Sequence, residues 1–95
     1  MTVERTVTIV PEAGLHARPA SAFVQTVNDH EAEVSAGRPD GDLVQAASMI
    51  AVTSLGVGQG DDIKLVADGP DAEAVLDELE RILTTPEEEL DTDDG

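Results

Sequence analysis

PEAGLHARPASAF, residues 11–23, sets a histidine between a turn and the start of a helix. Pro11 and Gly14 are breakers, so residues 11–16 read as a loop. Beyond them Ala20, Phe23, Val24 and Val27 recur at helical spacing, which predicts an amphipathic helix over roughly 17–30. Pro19 falls in the first turn, where its missing N–H costs nothing. A helix start leaves N–H groups without partners, and its dipole favours an anion there. Arg18 adds a charged fork suited to phosphate. The dipole and Arg18 both disfavour imidazolium, which keeps a lone pair on His16. A neutral imidazole beside an anion site suits a phosphate-accepting nucleophile. The same spacing also fits an ordinary cap beside a solvated arginine.

The rest of the chain alternates between strand and helix patterns. TVERTVTIV (2–10) points Val3, Val7 and Ile9 one way and threonines the other, with Arg5 interrupting the apolar side. EAEVSA (31–36) repeats the alternation through Ala32, Val34 and Ala36. GRPDGD (37–42) reads as a hairpin-type connection, and LVQA (43–46) as a short third strand. SMIAVTSLG (48–56) is a short helix with Ser48 as N-cap and Gly56 as its stop. GVGQG (56–60) is a turn that lacks the lysine and strand–helix setting of a phosphate-binding loop. DIKLVA (62–67) turns Ile63, Leu65 and Ala67 to one face. In DGPDAEAVLDELERILTT (68–85), Asp68 or Asp71 can cap a helix whose stripe is Ala72, Val75, Leu76, Leu79 and Ile82/Leu83. The order βαββαβα predicts an α+β fold, a four-stranded antiparallel sheet with three helices on one face. Residues 1–85 form one domain in this reading, and residues 86–95 an acidic disordered tail.

The chain has 95 residues and no cysteine, which excludes disulfides and thiolate metal sites. No metal site and no cofactor is expected. The acid pairs Asp61–Asp62 and Glu87–Glu89 suit at most weak cation binding and read as solvated acidic surface, and His30 as a cation at the end of the first helix. No apolar run approaches a membrane span and no leader pattern is present, so a soluble, cytoplasmic monomer without membrane insertion is expected. With 21 acids against 5 bases the net charge is −16, which argues against nucleic acid as a partner. Six acids lie in residues 87–94, and the other fifteen belong to residues 1–85. The acidity fits either a solubility surface or adaptation to high internal salt. The second is favoured, because self-repulsion of this size destabilises a compact chain unless ions screen it. Lys64 as the sole lysine and Phe23 as the sole aromatic fit a halophile.

GLHARPA (14–20) resembles the active-site signature of the HPr family, the histidine-containing phosphocarriers of the sugar phosphotransferase system. ASMIAVTSLGVGQGDDIKL (47–65) resembles that family's second helix, following turn and last strand, and the likeness extends over residues 3–85. The resemblance implies an open-faced β-sandwich and a role for each matching residue. His16 would accept phosphate on Nδ1 from phosphorylated Enzyme I and pass it to an enzyme IIA domain. Arg18 and the backbone N–H groups of Ala17 and Arg18 would hold it. Ser48 matches a serine that a kinase modifies in some members, and is equally a plain N-cap. Leu15, Met49, Ile50 and Leu55 would supply apolar docking surface, although Leu15 and Leu55 fit a core as well. The family often has Ser, Thr or Asn at the position of Ala13, and a basic residue at that of Ala47. The implied protein is a phosphoryl carrier rather than a stand-alone enzyme. Its acceptor is open between a sugar permease, fructose among the candidates, and a dihydroxyacetone kinase relay. A regulatory binding protein switched at His16 or Ser48 is the alternative.

The charge makes one prediction directly. The Debye length falls from about 10 Å at 0.1 M salt to about 3 Å at 1 M. The melting temperature should therefore rise as KCl is raised through that range. A flat or falling melting curve would sink the halophile reading.

Overall fold

The computed structural model describes residues 2–12, 14–15 and 17–86; Met1, Ala13, His16 and residues 87–95 lie outside the described residues, and the expected acidic tail lies among them but for Pro86. Alternation in the sequence becomes sidedness in the sheet. Strand β1, Thr2–Thr8, pairs antiparallel with β4, Asp62–Asp68, in a register that sets Val7 beside Ile63 and Val3 beside Ala67. Strand β2, Glu33–Gly37, lies antiparallel on the other side of β4, with Val34 beside Ala67 and Ala36 beside Leu65. Strand β3, Val44–Gln45, adds an antiparallel edge to β2, and the spatial order is β1-β4-β2-β3. One face of the sheet therefore carries Val3, Val7, Val34, Ala36, Ile63, Leu65 and Ala67 in register. The other face carries Thr6, Lys64, Glu4 and Ser35.

Helices cover the apolar face. Helix α1, Ala17–Asn28, buries Ala20, Phe23 and Val27 and packs Val24 at the margin of the core. Helix α3, Ala72–Leu83, buries Ala72, Val75, Leu76, Leu79, Ile82 and Leu83. Helix α2, Met49–Thr53, buries Val52 alone and rests against α1. Among the described residues this gives four antiparallel strands and three helices in the order βαββαβα, the architecture the sequence predicts.

Local differences have local causes. Helix α1 stops at Asn28, two residues earlier than the periodicity predicts, because Asp29 and His30 wind into a turn. There the His30 Nδ1 lies 2.7 Å from the Thr26 carbonyl oxygen, so the imidazole satisfies a C-terminal carbonyl of the helix. Arg5 interrupts the apolar face of β1 without exposing it. Its half-buried side chain donates to Asp77 Oδ1 at 2.7 Å and to Glu80 Oε1 at 3.1 Å on α3. The alkyl stem covers apolar surface while the guanidinium reaches the rim.

The start of α3 departs from the expected cap. Asp71 occupies the N-cap position and makes no side-chain cap hydrogen bond. Its carboxylate instead accepts from the backbone N–H of Glu31 at 3.0 Å and of Ala32 at 2.8 Å. Packing explains the exchange. A Cβ at Gly69 would stand 2.6 Å from Ala32 Cα, so the 69–71 turn lies directly against the bend that opens β2. The nearest unsatisfied donors there belong to that bend. Asp71 thus ties α3 to β2.

The bond from Glu31 N–H holds the Asp71 carboxyl below its ordinary value, with the Ala32 N–H and the charge of nearby His30 acting the same way. A depressed carboxyl contributes stability that is present at neutral pH and lost as pH falls through the folded-state value. Asp71→Ala should therefore melt below the wild type at pH 7. The gap should close as pH falls below about 4. Parallel melting curves at every pH would show that the two hydrogen bonds contribute nothing.

Candidate functional site

The loop between β1 and α1 is held by the turn between α2 and β4. Ile9 donates its N–H to the Asp61 carbonyl at 2.9 Å, and the Gly60 N–H returns to the Ile9 carbonyl at 2.8 Å. Gln59 Nε2 donates to the Val10 carbonyl at 3.0 Å. Val10 N–H donates to the Leu83 carbonyl at 2.8 Å, which adds the end of α3 to the same cluster. The Gly14 N–H closes a turn onto the Pro11 carbonyl at 2.9 Å. Leu15 N–H then donates to the Val57 carbonyl at 3.2 Å, and α1 begins at Ala17. The residues on either side of position 16 are in this way pinned, one to a neighbouring turn and one to a helix.

Gly14 is required for that arrangement. Its φ is +73°, and a Cβ there would meet the Val57 carbonyl oxygen at 2.6 Å and Gly58 Cα at 2.7 Å. Both contacts are with backbone, which cannot rotate away.

The residues singled out in the sequence have different places in the structure. His16 lies outside the described residues. Ala17 and Arg18 open α1, where backbone N–H groups lack helical partners, and Arg18 is exposed. Leu15 is 1 % exposed and belongs to the core, so it offers no docking surface: its side chain packs among the buried apolar residues. Leu55 is partly buried against the same core. Of the four apolar residues read as docking surface, Met49 and Ile50 are exposed, Ile50 at 81 %. Ser48 is the N-cap of α2, its Oγ accepting from the Ala51 N–H at 3.2 Å. Ala47 is exposed beside it.

Sequence reasoning did not find the supports from the 56–61 turn. Gly58 N–H donates to Asp61 Oδ2 at 2.9 Å, and Arg38 donates to the Gly56 carbonyl at 2.9 Å. The periodicity of neither strand nor helix reaches these residues, and forty-two positions separate Leu15 from Val57. Among the described residues no group of three or more His, Asp or Glu is placed to hold a metal ion, and no helix is long and apolar enough to cross a membrane.

Gly14→Ala should cost more than the about 1–2 kcal/mol of a left-handed conformation alone, because the methyl also displaces backbone. Thermal melting checks the cost, and the Leu15 amide resonance should move with it. A wild-type melting temperature would mean that the loop can withdraw from Val57 freely.

Comparison with known proteins places this geometry. A family model described as the PTS HPr component phosphorylation site matches residues 3–85. The chain is 65 % identical over 86 residues to the phosphocarrier protein HPr of Haloferax volcanii, covering 90 % of this chain and 97 % of that protein. It is 42 % identical over 87 residues to the phosphocarrier protein HPr of Streptomyces coelicolor, covering 92 % of this chain and 94 % of that one. Among solved structures, the phosphocarrier protein HPr of Bacillus anthracis superposes with a TM-score of 0.81 at 35 % identity, over 86 % of this chain and 96 % of that chain. With the family's phosphorylation-site model spanning the whole sheet and all three helices, the chain belongs to the HPr family, the phosphocarriers of the phosphotransferase system.

Proposed function

We propose that this protein carries a phosphoryl group on His16, taking it from phosphorylated Enzyme I and giving it to an enzyme IIA domain. The observation that carries the reading is the pinning of Leu15 to Val57 immediately before α1 opens. Position 16 directly precedes a helix start, whose dipole and first-turn N–H groups suit a phosphate carried there. An imidazole Nδ1 lone pair attacks phosphorus as the donor's phosphorus–nitrogen bond breaks, and the departing imidazole takes the electron pair. The reverse displacement delivers the group to the acceptor. Throughout, the N–H groups of Ala17 and Arg18 and the guanidinium of Arg18 stabilise the phosphate oxygens.

The distribution of charge supports a docking surface on α1 and α2. Arg18 is the sole charged residue formally ionised between positions 13 and 28, and positions 43–60 hold none. The fifteen acids of residues 1–85 all lie elsewhere, on the sheet, its loops and α3. Met49 and Ile50 thus stand on a neutral surface in an otherwise acidic molecule. Partners of similar acidity would approach this surface with least repulsion, and more easily as salt rises. The 65 % identity to the Haloferax volcanii protein supports the reading of the acidity as salt adaptation. Kinase modification of Ser48 would place a doubly charged group beside Met49 and Ile50 and oppose such docking. The acceptor in this reading is an enzyme IIA of a sugar permease, fructose among the candidates, with a dihydroxyacetone kinase relay as the alternative that copurification separates.

Incubation with phosphoenolpyruvate and Enzyme I should add one acid-labile, base-stable phosphate to the peptide containing His16. His16→Ala should abolish that label and keep the fold. Arg18→Ala should slow single-turnover transfer by roughly ten- to a hundredfold, the worth of about 1.5–3 kcal/mol for a charge-assisted contact. Wild-type labelling of His16→Ala would end the carrier reading, and an unchanged Arg18→Ala rate would remove Arg18 from the phosphate. Transfer should also speed up between about 0.1 M and 1 M KCl. Slower transfer at high salt would point to docking by opposite charges.

A further inference from the structure

The turn that holds the phosphate-accepting loop is itself held by a charged pair. Arg38, just past the end of β2, donates from Nη2 to the Gly56 carbonyl at 2.9 Å. Its Nη1 stands 3.8 Å from Asp61 Oδ2. The same Asp61 oxygen accepts the Gly58 N–H at 2.9 Å. Gly56 and Gly58 flank Val57, whose carbonyl receives the Leu15 N–H. The Val57 side chain is anchored in the core, and the hydrogen bonds to its two glycine neighbours set the orientation of the backbone around it. Arg38 fixes one flank of Val57 and Asp61 the other.

Resting on the carrier reading above, we infer that Arg38 and Asp61 are positioning residues for phosphoryl transfer. They fix the Val57 carbonyl and through it Leu15, the residue before His16. Both belong to connections outside the helices, 22 and 45 positions from His16. Their action is geometric: a nucleophile displaced by an ångström loses alignment with the phosphorus it attacks. Hydrogen bonds from a guanidinium and to a carboxylate also keep much of their strength in molar salt, where a longer-range field is screened.

The discriminating experiment uses the opposite charges of the two residues. Arg38→Ala, Arg38→Lys and Asp61→Ala are compared with wild type in single-turnover transfer from phosphorylated Enzyme I at molar KCl. Hydrogen exchange of the Leu15 amide is measured on the same full-length proteins. Positioning predicts that Arg38→Ala and Asp61→Ala both slow transfer, by about three- to tenfold, and both speed exchange at Leu15. The Leu65 amide, in the middle of β4, should exchange as in wild type. Arg38→Lys, which keeps a donor and the charge, should recover most of the rate. If the pair acted through charge alone, Arg38→Ala would slow transfer and Asp61→Ala would speed it, and that outcome overturns the inference. Wild-type rates and wild-type Leu15 exchange in both alanine variants overturn it as well. Failure of the wild-type protein to accept phosphate would instead reject the carrier reading, and the Leu15 exchange would still decide whether the pair holds the loop.

Discussion

The backbone of Gly14 lies so near Val57 and Gly58 that one methyl group cannot enter between them, and this close approach joins two connections that are remote in sequence. The loop from β1 to α1 would otherwise be free to wander, since proline and glycine disfavour regular structure but do not select one conformation. Pressed against the 56–61 turn, it exchanges hydrogen bonds with that turn at Ile9, Val10 and Leu15. The start of α1 inherits a fixed position from those bonds. The anion site proposed at Ala17 and Arg18 would therefore depend on the close approach of Gly14 to the 57–58 backbone.

The sheet supplies the frame for that contact. Pairing of β1 with β4 brings Thr8 beside Asp62, and the ladder runs on through Ile9 to Asp61. Both connections therefore meet the sheet at the same end of this strand pair. The inner face, filled by Phe23, Leu65, Leu76 and Leu79, sets the distance between sheet and helices. Polar ties at the periphery then fix the helices along the sheet. Arg5 reaches across to Asp77 and Glu80 on α3, and Asp71 reaches from α3 back to the bend before β2.

Charge is distributed as unevenly as these ties. Helices α1 and α2 contribute no carboxylate, while α3 contributes Glu73, Asp77, Glu78 and Glu80. An acidic body keeps the chain hydrated and dispersed where salt is concentrated. In the carrier proposed above, a surface without carboxylates that carries Arg18, Met49 and Ile50 would leave association to apolar burial and to the transferred phosphate. The two requirements do not conflict because the fold puts them on different elements.

Periodicity determined most of the fold. Apolar residues at alternate positions in β1 (Arg5 apart), β2 and β4, and at three- and four-residue intervals in α1 and α3, define one buried face for each element, and a sheet covered by helices on one face buries them. The Ser48 cap was equally legible, because its partner lies three residues away. The motif at Gly14, His16 and Arg18 indicated an anion site, because the chemistry of a helix start is local. Tertiary structure alone decided the rest. Leu15 was ambiguous between surface and core in the sequence, and the packing of the loop against the 56–61 turn put it in the core. Asp71 carried the composition of a cap, yet donors brought up by the packing of Gly69 against Ala32 took its carboxylate. Arg38 and Asp61 had no pattern to mark them, since a side chain that stabilises a distant turn answers to no period. Local patterns record the interactions a chain makes with its neighbours in sequence, and these residues make theirs only after the sheet has closed.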